Sequence, residues 1–544
     1  TAGTLAGSPV TFTATGTAGA AAKLVFATAP SSSVQSGVAF AQQPVVQLQD
    51  ANGNAVSQSG TVVTVTIATG PGGATLTNAT ATTVANGAAT FSGLTLSGSV
   101  GSYTLSFGAT GLTAATSGTI TLAAGAAAKL ALMTTPTSSA QSGVAFAQQP
   151  VVQLQDANGN PVSQSGTVIT ATIATGPGGA TLTNATATTG AGGAATFSGL
   201  AISGSVGSYT LSFGATGLTA VTSGTISLSA GPAATLAANS VTSQSATVGS
   251  GVSAPPSVIA KDASGNPVAG VAVTFAVTAG GGAVTPTTAV LTDATGVAAA
   301  TTWTLGSTAG ANTLTATAGT LSGSPVTFTA TGTAGAPSAS QSTVAAAPGT
   351  ITASSGSSVS TITVTVKDQF GNAVSGATVA LSSTGSGNLF SPAASGTTNG
   401  SGVLTASFSA TVAEAKTISA TANGTAITQT AAVTVGPAAA TVLVFTVQPT
   451  QTTANATITP AVQVTAKDGF GNVATTFTGN VSIAIGTDGS LLHNAVLHGT
   501  LSVAAVSGVA TFGNLSIDQV GTGYTLMASG TSLTSATSQA FNIL

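Results

Sequence analysis

The sequence predicts an all-β chain, a tandem array of β-sandwiches set end to end as an elongated rod or fibre. Three observations carry this. A five-residue turn, Asp-x-x-Gly-Asn, occurs at 50–54, 156–160, 262–266, 368–372 and 468–472, so its Asp residues lie 106, 106, 106 and 100 positions apart. Segments of alternating apolar and polar residues flank each turn, as in Val45-Val46-Gln47-Leu48-Gln49, and period two is the signature of a half-buried strand. No stretch shows helical periodicity, and about seven short strands per hundred residues, separated by turn signals, is the pattern of a sandwich.

A chain of 544 residues exceeds a single core, and a period near one hundred divides it into five modules. Residues 1–20 match 317–336 at every position but one, Ala6 against Ser322. In the later copy they close a module, so 1–20 reads either as the final strand of a preceding module or as a donor strand, with Ser8 to Thr15 completing a neighbour's sheet. Modules one (21–125) and two (126–231) are near duplicates, identical over 35–54 and 141–160. Module one has strands expected at Lys23–Phe26, Val45–Gln49, Val63–Ile67, Ala89–Leu96, Tyr103–Phe107 and Ser117–Leu122. Module three (232–335) sets Val271, Val273, Phe275 and Val277 on one face and holds the single Trp, Trp303. Modules four (336–436) and five (437–544) repeat the plan. The junctions are short and rich in Gly, Ala and Pro, which predicts stiff joints. Five compact bodies of roughly 13 Å radius of gyration make a rod of about 170 Å.

Composition excludes several function classes. Charged residues are 3% of the chain, with net charge −3 and six scattered Lys as the whole basic complement. Such a surface cannot neutralise phosphates, which argues against nucleic acid, and it generates no steering field for a charged ligand. With so few charges guarding the strand edges, neighbouring copies of the chain are expected to associate side by side or end to end. No run of 18 apolar residues predicts membrane insertion. There is no Cys, hence no thiolate nucleophile, disulfide or thiolate metal site. The chain starts at Thr without a basic and apolar leader, and a processed chain or an excerpt is expected.

The recurring turn has a structural rationale: Asp accepts backbone N–H bonds from residues ahead, Gly takes positive φ and Asn tolerates it. Calcium is the functional alternative, but one carboxylate per turn falls short of six to eight oxygen ligands. His493 and His498, with Asp488 upstream, are the one group resembling a metal or base site. Five residues is the wrong spacing for one face of a helix or strand, and a loop or surface role is expected. Glu414 and Lys416 read as an exposed ion pair. Sequons at Asn78, Asn184, Asn399, Asn423, Asn455, Asn480 and Asn514 offer glycan acceptors. No catalytic, cofactor-binding or metal residue is assigned, no cofactor is called for, and an enzyme is not expected.

Module three, through VIAKDASGNPVAGVAVTF and LTDATGVAAATTWTLGSTAGANTLTA, resembles the bacterial immunoglobulin-like group 1 domains of invasin and intimin adhesins. Module four is similar through VTVKDQFGNAVSGATVAL. Modules one, two and five share the turn and strand order but carry Thr-rich segments in place of the Pro-Val-x-Gly-Val run. The resemblance implies an extracellular or cell-surface fibre or stalk. The alternative it leaves open is an adhesin whose loops or terminal module bind a glycan or cell-surface receptor.

Overall fold

The computed structural model describes residues 11–544. Strands, with no helix among the described residues, build five sandwiches in chain order, and no sheet takes strands from two of them. Module one has β1 (Lys23–Thr28), β2 (Ser33–Gln35), β3 (Val45–Gln49), β4 (Val62–Thr69), β5 (Thr75–Thr77), β6 (Thr80–Thr82), β7 (Ala88–Thr90), β8 (Thr95–Ser97), β9 (Gly101–Gly108), β10 (Ala115–Thr116) and β11 (Ile120–Ala123). One sheet is ordered β1-β3-β7 and the other β2-β11-β9-β4-β6 with β10 also on β9, while β5 and β8 pair as a small third sheet. All neighbours in them are antiparallel except β2 and β11, which run parallel.

Alternation sets the core. In β9, Tyr103, Leu105 and Phe107 are buried with Ser and Thr between them. They meet Leu48, Val65, Phe91 and Leu122 from the other strands, and Phe107 packs edge-on against Phe91 at 5.3 Å between centroids, a favoured aromatic geometry. Modules two to five have their own cores on the same plan.

Two expectations change. The single strand expected over Ala89–Leu96 is two, β7 and β8, because Gly93 turns the chain at φ +67°. Of the strand expected at Ser8–Thr15, residues 1–10 lie outside the described residues, and 11–19 belong to no strand.

Candidate functional site: the joint between sandwiches

The Asp-x-x-Gly-Asn turns stand at the module boundaries. At Asp156, Oδ1 accepts the N–H groups of Asn158 (2.9 Å) and Asn160 (2.9 Å). Oδ2 accepts the Asn160 carboxamide (2.7 Å) and, from the linker, the N–H of Gly125 (2.9 Å). The other turns repeat this, taking the linker N–H of Gly19, Gly231, Gly335 and Ala438 onto Asp50, Asp262, Asp368 and Asp468. The fourth residue, as at Gly159 with φ +88°, lies in the left-handed region that favours glycine.

Asn160 is not in that region, so the reason first given for its identity is wrong; its side chain supplies the reason. The carboxamide crosses to module one, donating to the carbonyl of Gly98 (2.8 Å) while its oxygen accepts the N–H of Val100 (2.8 Å). Asn266 bonds Gly204 and Val206 likewise at 2.9 and 3.0 Å. Asn372 bonds Ser307 and Ala309, both at 2.8 Å, and Asn472 bonds Thr411 and Ala413 at 2.8 and 2.9 Å. Both ends of one amide group are thereby spent on the preceding sandwich, an arrangement that defines orientation as well as contact. Asn54 has the turn but, among the described residues, bonds Asp50 alone through its carboxamide.

A buried polar residue holds the gripped loop from inside its own sandwich. The Tyr103 hydroxyl donates to the carbonyl of Ser99 (2.7 Å), in the middle of the loop that Asn160 holds. Tyr209 and Tyr524 do the same to Ser205 and Gln519. The matching residue of module three is the buried Asn312, whose oxygen accepts the N–H of Gly306 (3.1 Å). In module four it is Lys416, with 1% exposure, which bonds the Ser386 carbonyl and Glu414. The pair Glu414–Lys416 is therefore not the exposed one expected: Lys416 shares the inward phase of Ile418, Ala420 and Ala422 along its strand. The strand expected at Tyr103–Phe107 does not by itself reveal this role; the signal available in the sequence is a polar residue recurring in core phase at 103, 209, 312, 416 and 524.

At the first two joints the linker glycine is required by close approach, whereas the fourth takes Ala438. A Cβ on Gly125 would lie 2.4 Å from the Ser36 carbonyl oxygen, and one on Gly231 2.2 Å from that of Ser142. The electrostatics follow from the donors. Burial pushes the carboxyls of Asp156, Asp262, Asp368 and Asp468 up, but the Asn carboxamide and the backbone N–H groups outweigh it and hold them below the usual range. At Asp50 the Asn54 carboxamide and the Gly19 N–H lower it to about 2. Each carboxylate is already served by four N–H donors, the environment of a satisfied anion and not that of a cation ligand.

His493 and His498 fall at the far end of module five. His493 Nδ1 lies 2.9 Å from the Asp488 carbonyl oxygen, and His498 Nε2 is 3.8 Å from Asp518 Oδ2. They follow Leu491 and Leu492, which are exposed at 93% and 76%. The sequons Asn78 and Asn184 lie at the surface, donating to the carbonyls of Gly93 and Gly199.

Fold and joints together define a string of immunoglobulin-like sandwiches coupled by side-chain clamps. Residues 338–438 match the family "Invasin, domain 3". That match covers the fourth sandwich, and the other four sandwiches repeat its strand plan. Among solved structures, the Escherichia coli adhesin FdeC is similar at 24% identity and TM-score 0.35, over 58% of this chain and 98% of that one. Invasin, a bacterial integrin-binding protein, is 19% identical with TM-score 0.36, over 76% and 79%. Yersinia pseudotuberculosis InvD is 20% identical with TM-score 0.31, over 56% and 97%. No curated protein matches the chain.

Proposed function

We propose that the chain is the stalk of an adhesin-type protein at the bacterial surface or in the extracellular space, and that its work is mechanical reach. The observation that supports this is the joint: four successive boundaries use the same Asn clamp and the same linker N–H on Asp. A string of beads meant to be flexible needs neither. Two net hydrogen bonds of about 0.5–1.5 kcal/mol each per boundary hold each sandwich at one angle to the next. Immunogold labelling of whole cells with antibodies against modules one and five tests the reading. A constant radial separation of the two labels outside the envelope is expected, and coincident or intracellular labels contradict it.

Side-by-side association of copies extends the same reading. Edge strands such as β6, Thr80–Thr82, carry no charge to deter pairing. Sedimentation velocity over a hundredfold concentration range tests this: a rising sedimentation coefficient is expected, and a constant one removes association.

A second reading is supported by module five. Its apolar loop, Leu491 and Leu492, with Asp488, His493, His498 and Asp518 near it, has no counterpart in the other modules among the described residues. Exposed apolar groups rimmed by polar ones mark interaction sites, and here the partner is a cell-surface receptor or glycan. Leu491→Asp with Leu492→Asp is expected to abolish binding of the chain to host cells; unchanged binding removes the reading.

A further inference from the structure

The third residue of the turn differs from joint to joint, and it differs in step with the residue it faces. Asn158 donates to the Ser36 hydroxyl (2.8 Å), and the hydroxyls of Ser264 and Ser142 lie 2.9 Å apart. Ser36 and Ser142 occupy one structural position: each backbone N–H bonds the last strand of its module, at Ala123 and Ser229. Each hydroxyl also bonds the carbonyl that the clamp Asn grips, Gly98 or Gly204. In module three the same backbone bond, to Thr333, is made by Val248, and in module four the bond to Gly436 is made by Ala353. There the next turn carries Phe370 and Phe470. Phe370 lies against Gly249, close enough that a Cβ there would sit 3.0 Å from its ring, and it lines a cleft with Val248.

A hydroxyl thus meets a polar turn residue at two joints, Val248 shares a cleft with Phe370 at the third, and the fourth carries the same apolar types, Ala353 and Phe470. A buried hydroxyl facing Phe loses a hydrogen-bond partner, and an Asn carboxamide facing Val gains none, so the wrong pairing is penalised as well as the right one favoured.

We infer that this pair of positions selects which sandwich docks on which, and that the turn of module one, through Asn52 and Asn54, is a docking surface for a sandwich presenting a hydroxyl at the place of Ser36. The inference rests on the joint reading of the stalk. Asn52 is the polar type, and Asp50 already holds the linker N–H of Gly19 as the other turns hold theirs. Module five presents Ala454 at this position, identified by its bond to Leu544. It is the wrong partner for Asn52, which disfavours head-to-tail docking of module five of one copy on module one of another.

A double-mutant cycle in the full chain tests this, using Ser36→Val, Asn158→Phe and the double variant, with hydrogen exchange of the Val100 amide as readout and the core amide of Leu105 as the folding control. Each single variant is expected to lower Val100 protection about fivefold, the worth of one hydrogen bond, and the double variant to recover it, since Gly37 leaves room for Phe as Gly249 does. Additive losses overturn the selection rule, whereas an unprotected Val100 in the unaltered chain overturns the joint itself. Two extended chains test the docking on module one. One replaces residues 1–19 with a copy of 126–231, the other with a copy of 437–544 followed by Ala18-Gly19. Protection of the copy's amide matching Val206, lost on Asn54→Ala, is expected in the first, and no protection at the amide matching Val520 in the second. Equal docking of both overturns the proposal.

Discussion

Asn266→Ala removes one clamp while leaving both sandwiches their cores. The variant loses the bond to the Gly204 carbonyl and the bond from the Val206 N–H. It also loses a contact to Asp262 inside its own turn. At about 0.5–1.5 kcal/mol net for each bond across the joint, coupling falls by about 1–3 kcal/mol, roughly a 5- to 150-fold change in the closed-to-open ratio. Asn266 is buried at 5% exposure. Water reaching the gap rescues part of the loss, which favours the lower half of that range. The assay is hydrogen exchange in the full chain. Val206 should lose protection by this factor, while Leu211, whose N–H bonds the Ser223 hydroxyl within module two, should not change. The emission of Trp303, in the core of module three, should also stay constant. Unchanged protection at Val206, or an equal fall at Leu211, refutes the clamp.

Acid should open the joints. The turn Asp groups have folded pKa values below the unfolded value near 3.8, so their stabilisation is complete above about pH 4. It is lost as pH falls through the folded values, near 2 at Asp50. Small-angle scattering is expected to hold one profile from pH 7 to 4 and to show bending below, and Asp262→Asn should remove one joint's share of that change. Gly231→Ala, which drives a methyl into the Ser142 carbonyl, should open or tilt that one joint, seen as faster exchange at Val206 with module melting unaltered. Glu414→Ala strands the Lys416 ammonium and should lower the melting temperature of module four, whereas Lys416→Met, apolar and similar in length, should not; calorimetry of the full chain distinguishes them.

Much of the architecture is legible because it is periodic. Val45–Gln49 alternates with the sheet period and forms a strand over those same residues, and the turn recurs where a boundary recurs. What the chain conceals is the second use of the turn. Asp, Gly and Asn each have a local reason to occur in a turn, and that reason satisfied the pattern before the carboxamide of Asn160 was seen to leave its own module. Lys416 was misplaced for a related reason: a lone Lys two residues from Glu looks solvated, and only the strand phase shared with Ile418 reveals that it points inward. At His493 and His498 the spacing shows Asp488 nearby but not Asp518, which comes beside His498 through contacts between segments about twenty residues apart.

The Asn clamps are expected to keep neighbouring sandwiches at fixed angles. Pulsed electron–electron distance measurement between spin labels on modules two and three of the full chain tests it most directly, comparing the unaltered chain with the variant in which Asn160, Asn266, Asn372 and Asn472 are all Ala. One narrow distance distribution that broadens severalfold in the variant is the expected result. A distribution already broad in the unaltered chain, or one equally narrow in both, shows that the Asn side chains do not set the angle.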